Sequence, residues 1–468
     1  MSEERPRETR IAATPAAAGE LLYRVDPLLV SRVDDALEAG RMDDLGALVA
    51  PLHAAELADL FEELSSERRV QLLEFLRGSL EAQVLTHLDE TVRDEVLEHL
   101  DSAEVATAIG ELAPDDAVEV IEDLEEDERR EVLEKLSPSD RALLEQALAW
   151  PEDSAGRLMQ RELVTVPPDW TVGDTIDYMR ARAAHLPRDF YDIFAVDMEG
   201  RPVGVVPLSR LARNRRPVRI RDIMHPDLKP VPLDMDQEDV AFLFHQYGLI
   251  SAPVIDKQGR LVGVITADDI VQVIQDEAEE DLLAMGGLRE DDFYSAVVDA
   301  TRTRFSWLLA NLGTAIVASI VIGFFDAAIE KAVALAILMP IVASMGGNAG
   351  TQTLTVAVRA LATKELTAAN ALRIVGKETL IGGINGIVFA ILVGFVAWGW
   401  FGDLGIGAII GLAMIINLVV AGFAGVIIPL VLDRLRVDPA VGSTVVLTTV
   451  TDVVGFLSFL GLAALVLL

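Results

Sequence analysis

A leucine recurs every twelve residues through the first third of the chain, at Leu52, Leu64, Leu76, Leu88, Leu100, Leu112, Leu124, Leu136 and Leu148. Around each lies a short amphipathic unit, such as DSAEVATAIGEL or APDDAVEVIEDL, opening on Asp, Ser or Pro-Asp, where free amide groups need an acceptor. Helices this short cannot bury an apolar face alone, so the pattern predicts stacked hairpins sharing one core, a helical solenoid over residues 25–150. After Trp150-Pro151 the period changes to β-branched runs alternating with helical ones, and one half repeats the other. Arg157-Leu158-Met159 resembles Arg221-Asp222-Ile223-Met224, Phe194-Ala195-Val196-Asp197 parallels Pro253-Val254-Ile255-Asp256, and Gly200-Arg201-Pro202-Val203-Gly204 parallels Gly259-Arg260-Leu261-Val262-Gly263. Gly200 and Gly259 fit hairpin turns, which predicts a doubled α/β unit over residues 151–275. The last third carries apolar runs of about the 20 residues that cross a bilayer as helix, drawn at 306–325, 332–357, 379–402, 404–432 and 441–467.

The predicted fold class is a multidomain membrane protein: an all-α solenoid, an α/β tandem, a connecting helix over 276–304 and a five-helix transmembrane domain over 305–468. Residues 1–24 read as a disordered tail, and their charged start is not that of a cleavable signal peptide. Charge sharpens the division. Of 74 acids and 39 bases, residues 1–150 hold 38 and 14, a net of −24; residues 151–310 have a net of −10 and residues 311–468 a net of −1. Two acidic parts precede a nearly neutral one, which argues against nucleic acid and for cationic partners. Without cysteine there is no disulfide, thiolate site or thiol nucleophile. Arg302, Arg304, Arg359, Lys364, Arg373, Lys377, Arg434 and Arg436 flank one side of the five spans and only Lys331 the other. That asymmetry places the N-terminal domains in the cytoplasm and the C-terminus outside the cytoplasmic membrane.

Polar groups inside a span are costly and mark function by default. Asp452, in LTTVTDVVGFLSF, reads as the only acid deep in a span, with Thr448, Thr449 and Thr451 around it and no base beside it. The alternative is an acid kept neutral by threonine hydroxyls. The second span carries Pro340 and then Met345 to Gln352, MGGNAGTQ, whose glycines and Asn348 are expected to loosen the helix and free carbonyls; close packing through Gly346 and Gly350 is the competing reading. Asn385 and Asn417 are each expected to bond another helix. The donor set is all oxygen, which suits hard cations such as Mg²⁺. One Asp is little charge for a divalent ion, so two chains about a two-fold axis, a homodimer with an axial pore, are expected. In the solenoid, Asp115 and Glu119 stand at i,i+4 and could share an ion. No nucleophile–base pair, phosphate loop or HExxH is found, so no enzyme activity is expected.

The tandem resembles a pair of cystathionine-β-synthase (CBS) domains. Its second half has Thr266 and Asp269 where such domains often hold a nucleotide ribose, and ATP is the ligand this would imply; Thr-x-x-Asp is equally a helix-start pattern. The whole order of parts, with PIVASMGGNAGTQ and DPAVGSTVVLTTVTDVVGF, resembles the MgtE family of magnesium channels. That resemblance implies Asp452 as the pore carboxylate for hydrated Mg²⁺, with Asn348 and Thr448 in the pore. It further implies Asp269, Glu277, Glu280, Asp281 and Glu238 as ligands of regulatory Mg²⁺, joined by Asp115 and Glu119 of the solenoid, so that cytosolic Mg²⁺ closes the channel. Gly248 stands where the pattern leads one to expect an acid. Alternatives are a broader divalent transporter for Co²⁺ or Mn²⁺, and a nucleotide-regulated channel of another ion.

Overall fold

The structure, a computed structural model, describes residues 25–183, 186–187, 190–288 and 297–467. The expected tail, residues 1–24, lies outside the described residues, and the chain divides into two compact units, Met1–Val271 and Gln272–Leu468.

In the first unit, helices α1 (Pro27–Glu38) to α10 (Pro138–Ala147) form the acidic helical domain. The twelve-residue leucines all fall at the same structural place, the turn that closes a helix. Leu64 caps α3 (Ala54–Glu63), Leu136 caps α9 (Glu126–Lys135) and Leu148 caps α10. Polar starts anchor the opposite ends: Asp101 accepts from Ala103 and Glu104 ahead of α7 (Ser102–Ile109), and Glu104 returns the contact to the Asp101 amide. Apolar positions such as Leu60, Phe61, Leu72, Leu85 and Ile121 are fully enclosed, as shared burial between short helices requires.

The tandem is two three-stranded sheets of the same topology. One holds β1 (Thr165–Val166), β2 (Asp192–Val196) and β3 (Pro202–Pro207); the other holds β4 (Val231–Pro232), β5 (Ser251–Ile255) and β6 (Leu261–Thr266). In each, the first pair is parallel and the second antiparallel, with a bulge at Ala195/Val196 and at Val254/Ile255. The halves interlock through the sulfur of the methionine that leads each repeat. Met224 lies over Gly204 and Met159 over Gly263, where a Cβ would collide with it. This is the all-α domain, CBS-like pair and membrane bundle that the periodicities predict.

The second unit begins in α16 (Ala267–Gly286), a helix that starts directly after β6. The expected connecting helix over 276–304 is therefore not one element. Its first part is the end of α16, residues 289–296 lie outside the description, and its last part already belongs to α17 (Val297–Gly323). Among the described residues five helices are long and apolar enough to cross a membrane: α17, α19 (Ala334–Ala362), α20 (Ala371–Phe401), α21 (Leu404–Arg434) and α22 (Ser443–Leu467). The third starts eight residues earlier than expected, because Arg373, Lys377 and Glu378 continue its first turns instead of forming a loop. Helix α21 is the best covered and α17 the most exposed. Glycines bring backbones together: a Cβ at Gly386 of α20 would lie 3.0 Å from the Ile415 Cα of α21.

Candidate functional site

Three places carry the candidate residues. The first is in the first unit, where α8 (Pro114–Glu122) meets the start of α16. Proline at the first helical position aligns α8, and Asp115 and Asp116 sit in its first turn, where the helix dipole favours negative charge. Gln160 holds the two elements: its Nε2 donates to Asp115 Oδ2 at 3.1 Å and lies 3.5 Å from Asp269 Oδ2. Asp115 Oδ1 is buried and accepts no hydrogen bond from a described residue. Burial, then Asp115 and further carboxylates including Asp269 and Asp268, pushes Asp116 up to about 7. Asp269 is pushed up to about 7 by burial and then by Asp115. Asp115 is raised by burial, with Asp268 adding to it. Asp115, Asp116 and Asp269 thus crowd one another beside Asp268, and burial with neighbouring carboxylates makes each of these three harder to ionise.

Two of the expected groups already have partners within the protein. Glu119 does share a helix face with Asp115, but its carboxylate accepts from Arg93 Nη1 at 2.6 Å, while Arg93 Nε bonds Asp123 at 2.5 Å. Arg93 is itself buried, so Glu119 is engaged in an internal ion pair. Thr266 and Asp269 form the helix-start arrangement: Thr266 Oγ1 donates to Asp269 Oδ2 at 2.8 Å and the Thr266 amide at 3.3 Å. Sequence reading missed Asp116, Asp268 and Gln160. The doubled acids in PDDAVE and TADD were a signal, but only the packing of α8 on α16 decides which of them face inward. Glu238 occupies the first turn of α15 (Gln237–Tyr247) and is half-buried there. Gly248 ends α15 at φ 60°, the left-handed conformation that glycine adopts without strain, which accounts for the missing acid by backbone geometry.

The second place is the far end of α16, in the second unit. Glu277 and Glu280 lie on its exposed to half-exposed surface, and Asp281 is half-buried. Burial raises Asp281, and Asp438 of the α21–α22 turn raises it further. One turn on, Ala284 is packed with Leu354, Val358, Ala424, Ala440 and Leu447, and Met285 O accepts from Thr444 Oγ1 at 3.1 Å. The end of α16 is thus seated on the ends of α19, α21 and α22. Gly287, at φ 71°, closes it, and the Trp307 indole of α17 fills the space a Cβ would need.

The third place is within the bundle. Asp452 on α22 is half-buried and makes no hydrogen bond or ion pair to a described residue. The neighbouring threonines do not neutralise it: Thr448 donates to Thr444 O at 2.9 Å, Thr449 to Val445 O at 2.7 Å and Thr451 to Leu447 O at 3.1 Å. Asn348 is exposed on α19 and donates to Ser344 O at 2.8 Å. The expectation that MGGNAGTQ loosens its helix fails. Helix α19 continues through Pro340 and all three glycines, and Gly346 and Gly350 are buried where α21 and α22 approach, with Gly350 against Leu447. Asn417 bonds across to α19 as expected, whereas Asn385 stays exposed on α20. Nor is Asp452 the only acid within a span: Glu378 is buried in α20, 3.5 Å from Lys377 Nζ. Among the described residues no three acidic or histidine side chains converge as a ready-made metal cage.

Comparison with known proteins fits this layout. Residues 339–462 match the MgtE profile, described as divalent cation transporter; residues 52–153 match the MgtE intracellular N domain, and 155–216 and 220–276 match CBS domains. The magnesium transporter MgtE of Thermus thermophilus is 36% identical over 331 residues, spanning 70% of this chain and 73% of that protein. Its counterpart from Enterococcus faecalis is 32% identical over 322 residues, 69% and 71% of the two chains. A crystal structure of the cytosolic domain of the Mg²⁺ channel MgtE in complex with ATP is 32% identical and covers 52% of this chain and 99% of that one, with a TM-score of 0.48. With both the profile order and the extent of identity in agreement, the chain belongs to the MgtE family of divalent cation transporters.

Proposed function

We propose that this protein carries Mg²⁺ across the cell membrane as a homodimer, with Asp452 of each copy facing a shared axial path. The observation that carries the reading is Asp452 itself, a carboxylate in a membrane helix with no partner among the described residues, while every threonine around it donates to its own helix. An uncompensated charge at that depth needs a mobile cation, and two such groups balance one divalent ion. Mg²⁺ holds its water tightly, so carboxylates that do not converge as a cage suit an ion bound through its hydration shell. Asn348 and Thr448 supply neutral oxygens along the same path. The relatives named magnesium transporters support this choice of ion.

Regulation follows from the acidic clusters. Asp115, Asp116, Asp268 and Asp269 repel one another across the α8–α16 contact, and the buried orphan oxygen of Asp115 fits a cation's donor set. Bound Mg²⁺ would favour the closed arrangement there, and at Glu277, Glu280 and Asp281 it would hold the end of α16 on the bundle. Glu238, in the first turn of α15, and Glu119, already engaged by Arg93, are further candidate ligands. The eight-to-one distribution of bases supports a cytoplasmic position for the N-terminal domains and an external C-terminus. No enzyme chemistry is required. Mg²⁺ flux into proteoliposomes, parent against Asp452→Asn, tests the reading: flux should fall to background in the variant, and unchanged flux would remove Asp452 from the path.

A further inference from the structure

Asn417 of α21 packs against both α19 and α22. It is fully enclosed, and its Nδ2 donates to the carbonyl of Val342 on α19 at 2.9 Å. Two glycines make room for it. A Cβ at Gly346 of α19 would collide with the Asn417 amide, and one at Gly455 of α22 would lie 2.8 Å from its nitrogen. Gly346 opens the segment that carries Asn348, and Gly455 follows Asp452 by three residues, on the same face of α22. A single side chain therefore touches both segments that hold the proposed pore groups.

Stability alone does not call for an amide at this position. The other end, Asn417 Oδ1, is buried and accepts no hydrogen bond from a described residue. Leucine keeps the branched shape and removes that orphaned acceptor, but it is larger and gives up the bond to Val342, so its effects on folding oppose one another. What leucine cannot supply is the cross-helix bond to Val342 O. That bond fixes how far α19 can slide or turn against α21, and so fixes the separation of Asn348 from Asp452.

We propose that Asn417 is a positioning residue for ion passage, setting the spacing of the α19 and α22 pore groups through its bond to Val342 and its seats against Gly346 and Gly455. The inference rests on the assignment of Asp452 and Asn348 to the Mg²⁺ path.

The experiment compares parent, Asn417→Leu, Gly455→Ala and the double variant Asn417→Ala with Gly455→Ala, as full chains in proteoliposomes, each normalised to folded protein. Asn417→Leu should still fold, and its melting temperature is read beside transport because overpacking opposes the gain from the removed acceptor. Its half-saturating Mg²⁺ concentration should nonetheless shift by about threefold to tenfold, the factor one buried hydrogen bond carries. Gly455→Ala should cut transport by about tenfold through overpacking, and removing the Asn417 amide should restore part of it. A parent-like half-saturation in Asn417→Leu, beside a parent that carries Mg²⁺, overturns this inference alone. So does a loss that only tracks the amount of folded protein. A parent chain that carries no Mg²⁺ overturns the reading of function, and this inference with it.

Discussion

Mg²⁺ binding at the α8–α16 contact should release protons, and the amount follows from the structure. Asp116 and Asp269 each ionise only near 7, because burial and their neighbours oppose the charged form. At pH 7 each is half protonated, so a cation that requires both as carboxylates displaces about one proton in total. Between pH 8 and pH 6 two independent groups of this kind would weaken apparent affinity by about a hundredfold, a ceiling because the pair titrates together. The metal-free contact behaves oppositely. A carboxyl whose value is raised on docking favours the docked form fully below its ordinary value of 3.8 and loses that contribution as pH rises through about 7. The metal-free contact therefore loosens as pH climbs from about 4 towards 7 and is weakest above neutrality, where Mg²⁺ binds best. Titration calorimetry on the full chain at pH 7, in two buffers of different ionisation enthalpy, reads proton release directly. Asp116→Asn should remove about half of the buffer-dependent heat. Identical heats in both buffers for the parent would refute the argument, since no proton would then leave the site.

Three other outcomes follow from particular contacts. Arg93→Ala leaves Glu119 and Asp123 facing each other without their shared cation, and should lower the unfolding free energy of the helical domain by about 3 kcal/mol in a chemical melt. Gly287→Ala places a side chain at φ 71° against the Trp307 ring; it should release the end of α16 and weaken inhibition by internal Mg²⁺, with Trp307→Ala partly restoring it in flux assays. Replacing Asp269 and Glu277 together by Ala should leave maximal flux near the parent's but blunt its inhibition by internal Mg²⁺; parent-like inhibition in a patch recording would count against the proposed gate.

The large-scale order of this chain is legible because each part has its own period. Leucines at twelve predict short stacked helices, and the structure adds that they close each turn; the doubled Gly-Arg hairpin predicts two equal sheets. Boundaries are less legible where a charge need not end a helix. Lys377 and Glu378 read as loop, yet Glu378 is folded into α20 with its backbone against Gly422 of α21. Side-chain partnership is the least legible. Spacing shows that Asp115 and Glu119 share a face, but not that an arginine twenty-six residues earlier takes Glu119 while Gln160 takes Asp115. Those choices are made by packing between elements of the first unit that no local pattern records.

The glycines of the second span show how one composition can carry two physical meanings. Three glycines beside an asparagine lower helix propensity, which favours an opened backbone when the segment is considered alone. Within the bundle the same residues remove side-chain bulk, and α21 and α22 fill the space with Asn417 and Leu447, whose contacts hold α19 as an unbroken helix. Tertiary packing therefore outweighs propensity, and the carbonyls of this span remain in their helix. On the proposed reading the ion path is then lined by side-chain oxygens, which concentrates the demand for charge on Asp452. Because that demand is met only by a second copy or by the passing ion, Asp452→Asn should abolish transport more completely than any change at Asn348, and a larger loss from Asn348→Ala than from Asp452→Asn in the same flux assay would reverse the assignment.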